Sequence, residues 1–312
     1  MSYSGNLIEY FVSTLIILLL SAPIIFFEFP DSSKNYSGFQ SESFELPFAI
    51  MDPDSVYTLP KKLKEISGLT YLDKDNIYAI NDEKGNLYTF NFVEGEITGK
   101  IDIGKDDDYE SLARNKNIVY VAESNGNIKV IDINKQTKVD EYDTPFSMRN
   151  NVEGMVYDSI GNQLLLACKG DPLDRKKNKG RKGIYSFNLF TEELNEEPYA
   201  LISLKELRKA LKPLNLTKGA MQDLNVNSRI NIFAPSGLAI DPITGYLYIL
   251  ANRGKILLIM DQSKNPLGLY FLNRKLYGQP EGISFDPNGN LYISNESKAQ
   301  KANIIFLSRK IL

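Results

Sequence analysis

Ser67-Gly68-Leu69, Glu110-Ser111-Leu112, Glu153-Gly154-Met155, Ser236-Gly237-Leu238 and Glu281-Gly282-Ile283 are five copies of one short phrase. Each copy runs into a strand-like segment. The steps between copies are 43, 43, 83 and 45 residues. A period near 43 built from short strands is the signature of a β-propeller. Around the first copy, Gly68 to Leu72, Ile77 to Asn81, Leu87 to Phe92 and Ile97 to Ile103 read as four strands. Asp, Asn and Gly turns separate them, and four antiparallel strands make one blade.

Working outward, the second to fourth copies repeat this blade. The fifth reaches only three strands before residue 312, over Gly282 to Phe285, Leu291 to Ser294 and Asn303 to Leu307. A missing outer strand would leave an open sheet edge. Ser55 to Leu59, just ahead of the first copy, can supply it and close the ring. The 83-residue step admits either a sixth blade or insertions. Lys205 to Lys212 carries Leu207 and Leu211 at helical spacing, which is not a strand pair. Lys169 to Lys182 reads as a long, basic and solvated loop. The expectation is an all-β propeller of five blades over residues 55–312, with insertions at about 169–182 and 205–232. Six blades is the alternative.

Two segments precede the propeller. Tyr10 to Phe27 is an 18-residue run without a charge, between Glu9 and Glu28. Its length suits a single transmembrane helix within residues 1–29. A cleaved signal peptide is the rival reading, but no Lys or Arg precedes the run. The acidic, Ser-rich segment 30–54 reads as a flexible tether.

Composition excludes several chemistries. There is no His, which removes Ser-His-Asp and Cys-His catalysis and His-based zinc sites. Cys168 is the single cysteine, so no internal disulfide or Cys cluster exists. A net charge of −3 offers no basic field for nucleic acid.

The fold converts the phrase into a site. The start of each blade's first strand and the end of its second lie at the same mouth of the central channel. One ring is therefore Ser67, Glu110, Glu153, Ser236 and Glu281. A second ring, at the ends of the second strands, is Asp82, Glu123, Lys169, Asn252 and Glu296. Like charges in a confined site raise one another's pKa, so three glutamates near one axis need a shared proton or a cation. Carboxylate and amide oxygens suit Ca²⁺ first and Mg²⁺ second. Glu110, Glu153 and Glu281 are the candidate metal ligands. Alternatively, these glutamates accept hydrogen bonds from neighbouring blades and hold the ring closed.

The phrases Ile66-Ser-Gly-Leu-Thr-Tyr71, Asp108-Tyr-Glu-Ser-Leu-Ala113, Asn151-Val-Glu-Gly-Met-Val-Tyr157, Pro235-Ser-Gly-Leu-Ala-Ile-Asp241 and Gln279-Pro-Glu-Gly-Ile-Ser-Phe-Asp286 together resemble the SdiA-regulated family of bacterial envelope proteins. The resemblance spans about residues 55 to 312. It implies a β-propeller outside the cytoplasm, behind an N-terminal membrane segment, with a calcium site at the channel mouth. It implies no particular reaction. By motif match, Glu110, Glu153 and Glu281 carry over as the metal-facing residues. Ser111 departs from the Gly of the other four copies, and Lys169 is a cation in an otherwise acidic or amide ring.

Two functions follow as expectations. One is a propeller anchored in the bacterial plasma membrane, or secreted after cleavage, that holds Ca²⁺ and binds a small-molecule or protein ligand at its mouth. The other is a metal-dependent hydrolase of a phosphoester or lactone, with a channel Glu or metal-bound hydroxide as base.

Overall fold

The computed structural model describes residues 36–298 and 300–310. The expected transmembrane or signal segment at 1–29 lies outside the described residues. Among the described residues no helix is long and apolar enough to cross a membrane.

Five antiparallel sheets form five blades. The first consists of Ile66–Asp73, Asn76–Asn81, Asn86–Asn91 and Glu96–Asp102. The second is Tyr109–Asn115, Ile118–Glu123, Ile128–Asp132 and Thr137–Tyr142. The third is Val152–Asp158, Gln163–Cys168 and Lys182–Asn188, with an outer strand split into Glu193–Leu194 and Ala200–Ile202. The fourth is Gly237–Ile240, Leu247–Ala251, Ile256–Met260 and Pro266–Phe271. The fifth is Pro280–Phe285, Leu291–Asn295 and Asn303–Leu307, completed by Ser55–Thr58. The N-terminal strand thus closes the last blade, as expected.

The sequence pattern follows position in the blade. Middle strands such as Leu247–Ala251 and Ile256–Met260 are buried throughout and apolar throughout. The outer strand Thr137–Tyr142 is almost wholly exposed and reads Thr-Lys-Val-Asp-Glu-Tyr. Each first strand touches the first strand of the next blade, and the fifth touches the first, so the ring is closed.

The long step between the third and fourth copies holds insertions, not a sixth blade. Short helices occupy Leu204–Ala210, Lys218–Asp223 and Val226–Asn231. Leu204, Leu211, Val226 and Ile230 pack into the core shared by the third and fourth blades. Arg229 pins the last helix. Its Nε donates to the Gly254 carbonyl at 2.6 Å, and its Nη2 donates to the carbonyls of Lys255 and Leu272. Burial pulls its pKa down to about 10.

One expectation is corrected. The segment expected as a tether, 30–54, is a built part of the fold from Tyr36 onward. Ser37–Gln40 pairs with Pro266–Phe271 and, on its other side, with Lys212–Leu214. Phe39, Phe44, Leu46, Phe48 and Ile50 are buried. Tyr277 fixes the end of this strap by donating to the Ile50 carbonyl at 2.8 Å. The acidic and Ser-rich impression concealed an apolar residue at nearly every second position from Phe44 to Ile50. Burial of those side chains outweighs the entropy of ordering the segment.

Candidate functional site: the acidic channel mouth

The repeated phrase interlocks neighbouring blades at the axis. A Cβ on Gly68 would lie 2.8 Å from Leu112 Cδ2, and one on Gly237 would lie 2.7 Å from the Glu281 carbonyl oxygen. The second position of the phrase is therefore Gly because the next inner strand leaves no room for a side chain. The third position fills the seam: Leu238 lies over Gly154 and Ile283 over Gly237. Ser111, the exception, uses its hydroxyl as a seam bond, accepting from the Met155 amide at 2.9 Å. Ser236 does similar work, donating to the Pro280 carbonyl and accepting from the Asn252 amide. The Ser67 hydroxyl is buried without a hydrogen-bond partner among the described residues.

The first positions of the phrase do bring three glutamates together. Glu110 feels the charges of Glu153, Asp108 and Glu281, and Glu281 feels Glu153. Lys169 stands among them. Its ammonium is ion-paired with the Glu153 carboxylate, and it also feels Glu281 and Glu110. Asn151 donates to Glu153 at 2.8 Å. Glu281 accepts from Asn252, whose carbonyl oxygen accepts from Lys255 at 2.7 Å. Glu110 makes no hydrogen bond and no ion pair among the described residues.

The titration behaviour follows from this geometry. Burial, then the charge of Glu153, pushes Glu110 up to about 9. Burial, then Glu153, pushes Glu281 up to about 8. Burial also raises Glu153, although Lys169 opposes it. For Lys169 burial works against the charge, but Glu153, Glu281 and Glu110 outweigh it and the pKa is raised. Burial pulls Lys255 down to about 8, against the field of Glu281.

The second ring is only partly assembled. Lys169 and Asn252 contact first-ring glutamates, as described. Asp82 is pushed up to about 7 by burial and then by Glu65 and Glu296, and its Oδ1 is buried without a hydrogen bond. Glu296 accepts from Gln279. Glu123 does not join the mouth. It turns to Lys129 on the neighbouring strand, at 2.9 Å, and both side chains are buried. A lysine at the matching position of the third strand was the competing partner.

Sequence reasoning missed a further ring two residues ahead of the phrase: Glu65, Asp108, Asn151, Ala234 and Gln279. Two of these, Asn151 and Gln279, hold mouth carboxylates, and two others add negative charge. These residues stand just ahead of the first strands, and the register shifts at most copies of the phrase, so strand alternation alone does not place them.

The fit to Ca²⁺ can be judged from the donors. Among the described residues no three Asp, Glu or Cys side chains stand in a geometry that could hold a metal ion. A calcium cage needs six or more oxygens around one point. Here Lys169 engages Glu153, and Asn252 engages Glu281. Glu110, Glu153 and Glu281 in this arrangement do not fit the ion.

A family model described as SdiA-regulated matches residues 55–299. Among solved structures, a glutaminyl cyclase from Myxococcus xanthus superposes with a TM-score of 0.53 at 11% identity, covering 84% of this chain and 97% of that one. A luciferin-regenerating enzyme gives 0.49 at 11% identity, covering 83% and 98%. A streptogramin B lyase gives 0.45 at 13% identity, covering 82% and 97%. At such identities the likeness concerns the fold alone.

Proposed function

The chain belongs to the SdiA-regulated family, and from that premise we propose that it is a binding module of the bacterial envelope whose acidic mouth captures a positively charged ligand group. The observation that carries this reading is Glu110. It is a carboxyl group at the channel mouth with no partner of its own, in the field of Glu153, Asp108 and Glu281. An incoming cation would displace its proton, and the carboxylate so formed would pair with the bound charge. As the side chains stand, the mouth suits an organic ammonium better than Ca²⁺, a reading supported by the Lys169 ammonium, which pairs with Glu153 in the field of Glu281 and Glu110. The uncharged run Tyr10 to Phe27 supports attachment to the plasma membrane with the propeller outside the cytoplasm.

Calorimetric titration of the full chain with methylammonium and with Ca²⁺, in buffers of different ionisation enthalpy, tests the reading. Methylammonium is expected to bind with release of a proton, and Glu110→Gln to abolish both signals. Calcium is expected to bind only after Lys169→Met. Calcium binding by the unaltered chain would restore the metal site. Turnover of a phosphoester or lactone would establish the hydrolase. Silence to both cations would overturn the proposal.

A further inference from the structure

A cavity lined by the first strands of all five blades lies away from the acidic mouth. It opens at the opposite end, where the first strands finish, and has a volume of about 450 Å³. Its lining includes none of the mouth carboxylates. Its floor is the interlocked third position of the phrase: Leu69, Leu112, Met155, Leu238 and Ile283, each at most 4% exposed. Above that floor the walls carry Tyr71, Tyr157 and Phe285, with Thr70, Arg114 and Lys116 among the polar groups.

What matters is which polar groups are already used. Asp286 is the one carboxylate in the lining. Its oxygens are engaged by its own turn, accepting from the amides of Asn288 and Asn290 and from the Asn290 side chain, although its charge still acts on Tyr71. Arg114 spends Nε on the Lys116 carbonyl and Nη1 on the carbonyls of Tyr71 and Leu72. Those bonds hold the guanidinium at the cavity while Nη2 makes no hydrogen bond among the described residues. Lys116 is exposed and makes no ion pair among the described residues. The unspent groups are thus two cations and the hydroxyls of Thr70 and Tyr71, over an apolar floor. We infer that this cup is a second ligand site, and that it takes a small anion with an apolar body, such as an aryl carboxylate. The body would rest on the Leu112 and Met155 floor against the tyrosines, and the carboxylate would face Arg114 and Lys116. The site is independent of the acidic mouth in position and in sign of charge.

Benzoate serves as the probe, with benzyl alcohol as its neutral counterpart. The full chain is labelled with [methyl-¹³C]methionine, and the Met155 resonance is assigned through Met155→Leu. Benzoate is expected to shift the Met155 methyl saturably and leave Met148, which is exposed and outside the cavity lining, unmoved. Benzyl alcohol is expected to bind about tenfold more weakly, and Lys116→Gln to weaken benzoate about threefold. Thr70→Phe fills the cup and should abolish the shift. Because Arg114 also bonds three carbonyls, Lys116→Gln and Thr70→Phe carry the test in its place. No shift at Met155, equal binding of the neutral probe, or a shift that survives Thr70→Phe would overturn the inference. Glu110→Gln should leave benzoate binding unchanged.

Discussion

Lys169 and Glu153 form an ion pair within one blade, the lysine directly following the second strand and the glutamate opening the first. Glu153 is 3% exposed, so its charge has little recourse to water. Removing one member of a buried pair leaves the other uncompensated, which costs about 3–5 kcal/mol. Lys169→Met is therefore expected to lower the unfolding free energy in urea by several kcal/mol at neutral pH. The loss should shrink as pH falls, because Glu153 then takes up a proton. The double variant Lys169→Met, Glu153→Gln should recover most of it.

Glu110 gives a pH dependence of opposite sense to that of an ordinary salt-bridged carboxylate. Its pKa is pushed up from the ordinary 4.5 to about 9 by burial and by Glu153. From about pH 4.5 upward the folded protein holds a proton that the unfolded chain has lost. The folded state then binds more protons, so its stability falls as pH rises, until Glu110 itself ionises near 9. Glu110→Gln cannot ionise. It should match the unaltered protein near pH 4 and exceed it increasingly toward pH 9, by about 1.4 kcal/mol for each pH unit between the unfolded and folded pKa values. Thermal melts of both proteins across that range check the sign. A difference that shrinks with rising pH would contradict the placement of Glu110 as a buried carboxyl without an ion pair of its own.

Arg229 anchors the inserted helices to the fourth blade through three carbonyls, and it lies 4.8 Å over the Phe271 ring. At 2% exposure it cannot be replaced by water. Arg229→Ala leaves the Gly254 and Leu272 carbonyls unpaired, while the Lys255 carbonyl keeps the Leu272 amide, and is expected to cost about 3–5 kcal/mol in urea unfolding. Arg229→Lys keeps the charge but not the fork, so it should recover only part.

Two glycines separate close approach from mere flexibility. Gly237→Ala places a Cβ 2.7 Å from a backbone carbonyl at the seam between the fourth and fifth blades. It should destabilise by about 1–3 kcal/mol. Gly219 lies in the helix Lys218–Asp223, where an added Cβ meets only Thr217 Oγ1 at 3.9 Å. Gly219→Ala should stabilise by about 0.5–1 kcal/mol. Paired melting temperatures would show opposite signs.

The five copies of the phrase made the blades legible because each strand is short, bounded by turns and alike in burial. The helical insertion was legible through Leu207, although the helix Leu204–Ala210 stops short of Leu211, which is extended and leads into the strand Lys212–Leu214. The mouth was legible only to the first ring, where the repeat itself aligns Glu110, Glu153 and Glu281. The pairing of Glu123 with Lys129 was not, since only the register between the second and third strands of that blade brings the two side chains together. The opposite cup was hidden for another reason. Its floor is the same Leu, Met and Ile set that any core strand would carry, and its character comes from Asp286 being capped and Arg114 being held in place.

The strap from Tyr36 to Asp54 is where local composition misled most, and it yields the last prediction. A Ser-rich acidic segment can remain unfolded unless it buries apolar area. Here Phe48 is 1% exposed, and it contacts the rings of Tyr248 and Phe285 and the guanidinium of Arg309. Ile50 is fully buried, and its carbonyl satisfies the buried Tyr277 hydroxyl. The strap therefore seals the seam between the fourth and fifth blades, next to the strand that closes the ring. Phe48→Ala should cost about 3–5 kcal/mol and also raise proteolysis between residues 36 and 54. Limited proteolysis with mass-mapped fragments measures this directly. If the segment were a tether, Phe48→Ala would change neither stability nor cleavage, and the unaltered protein would already be cut there at the rate of an unfolded chain.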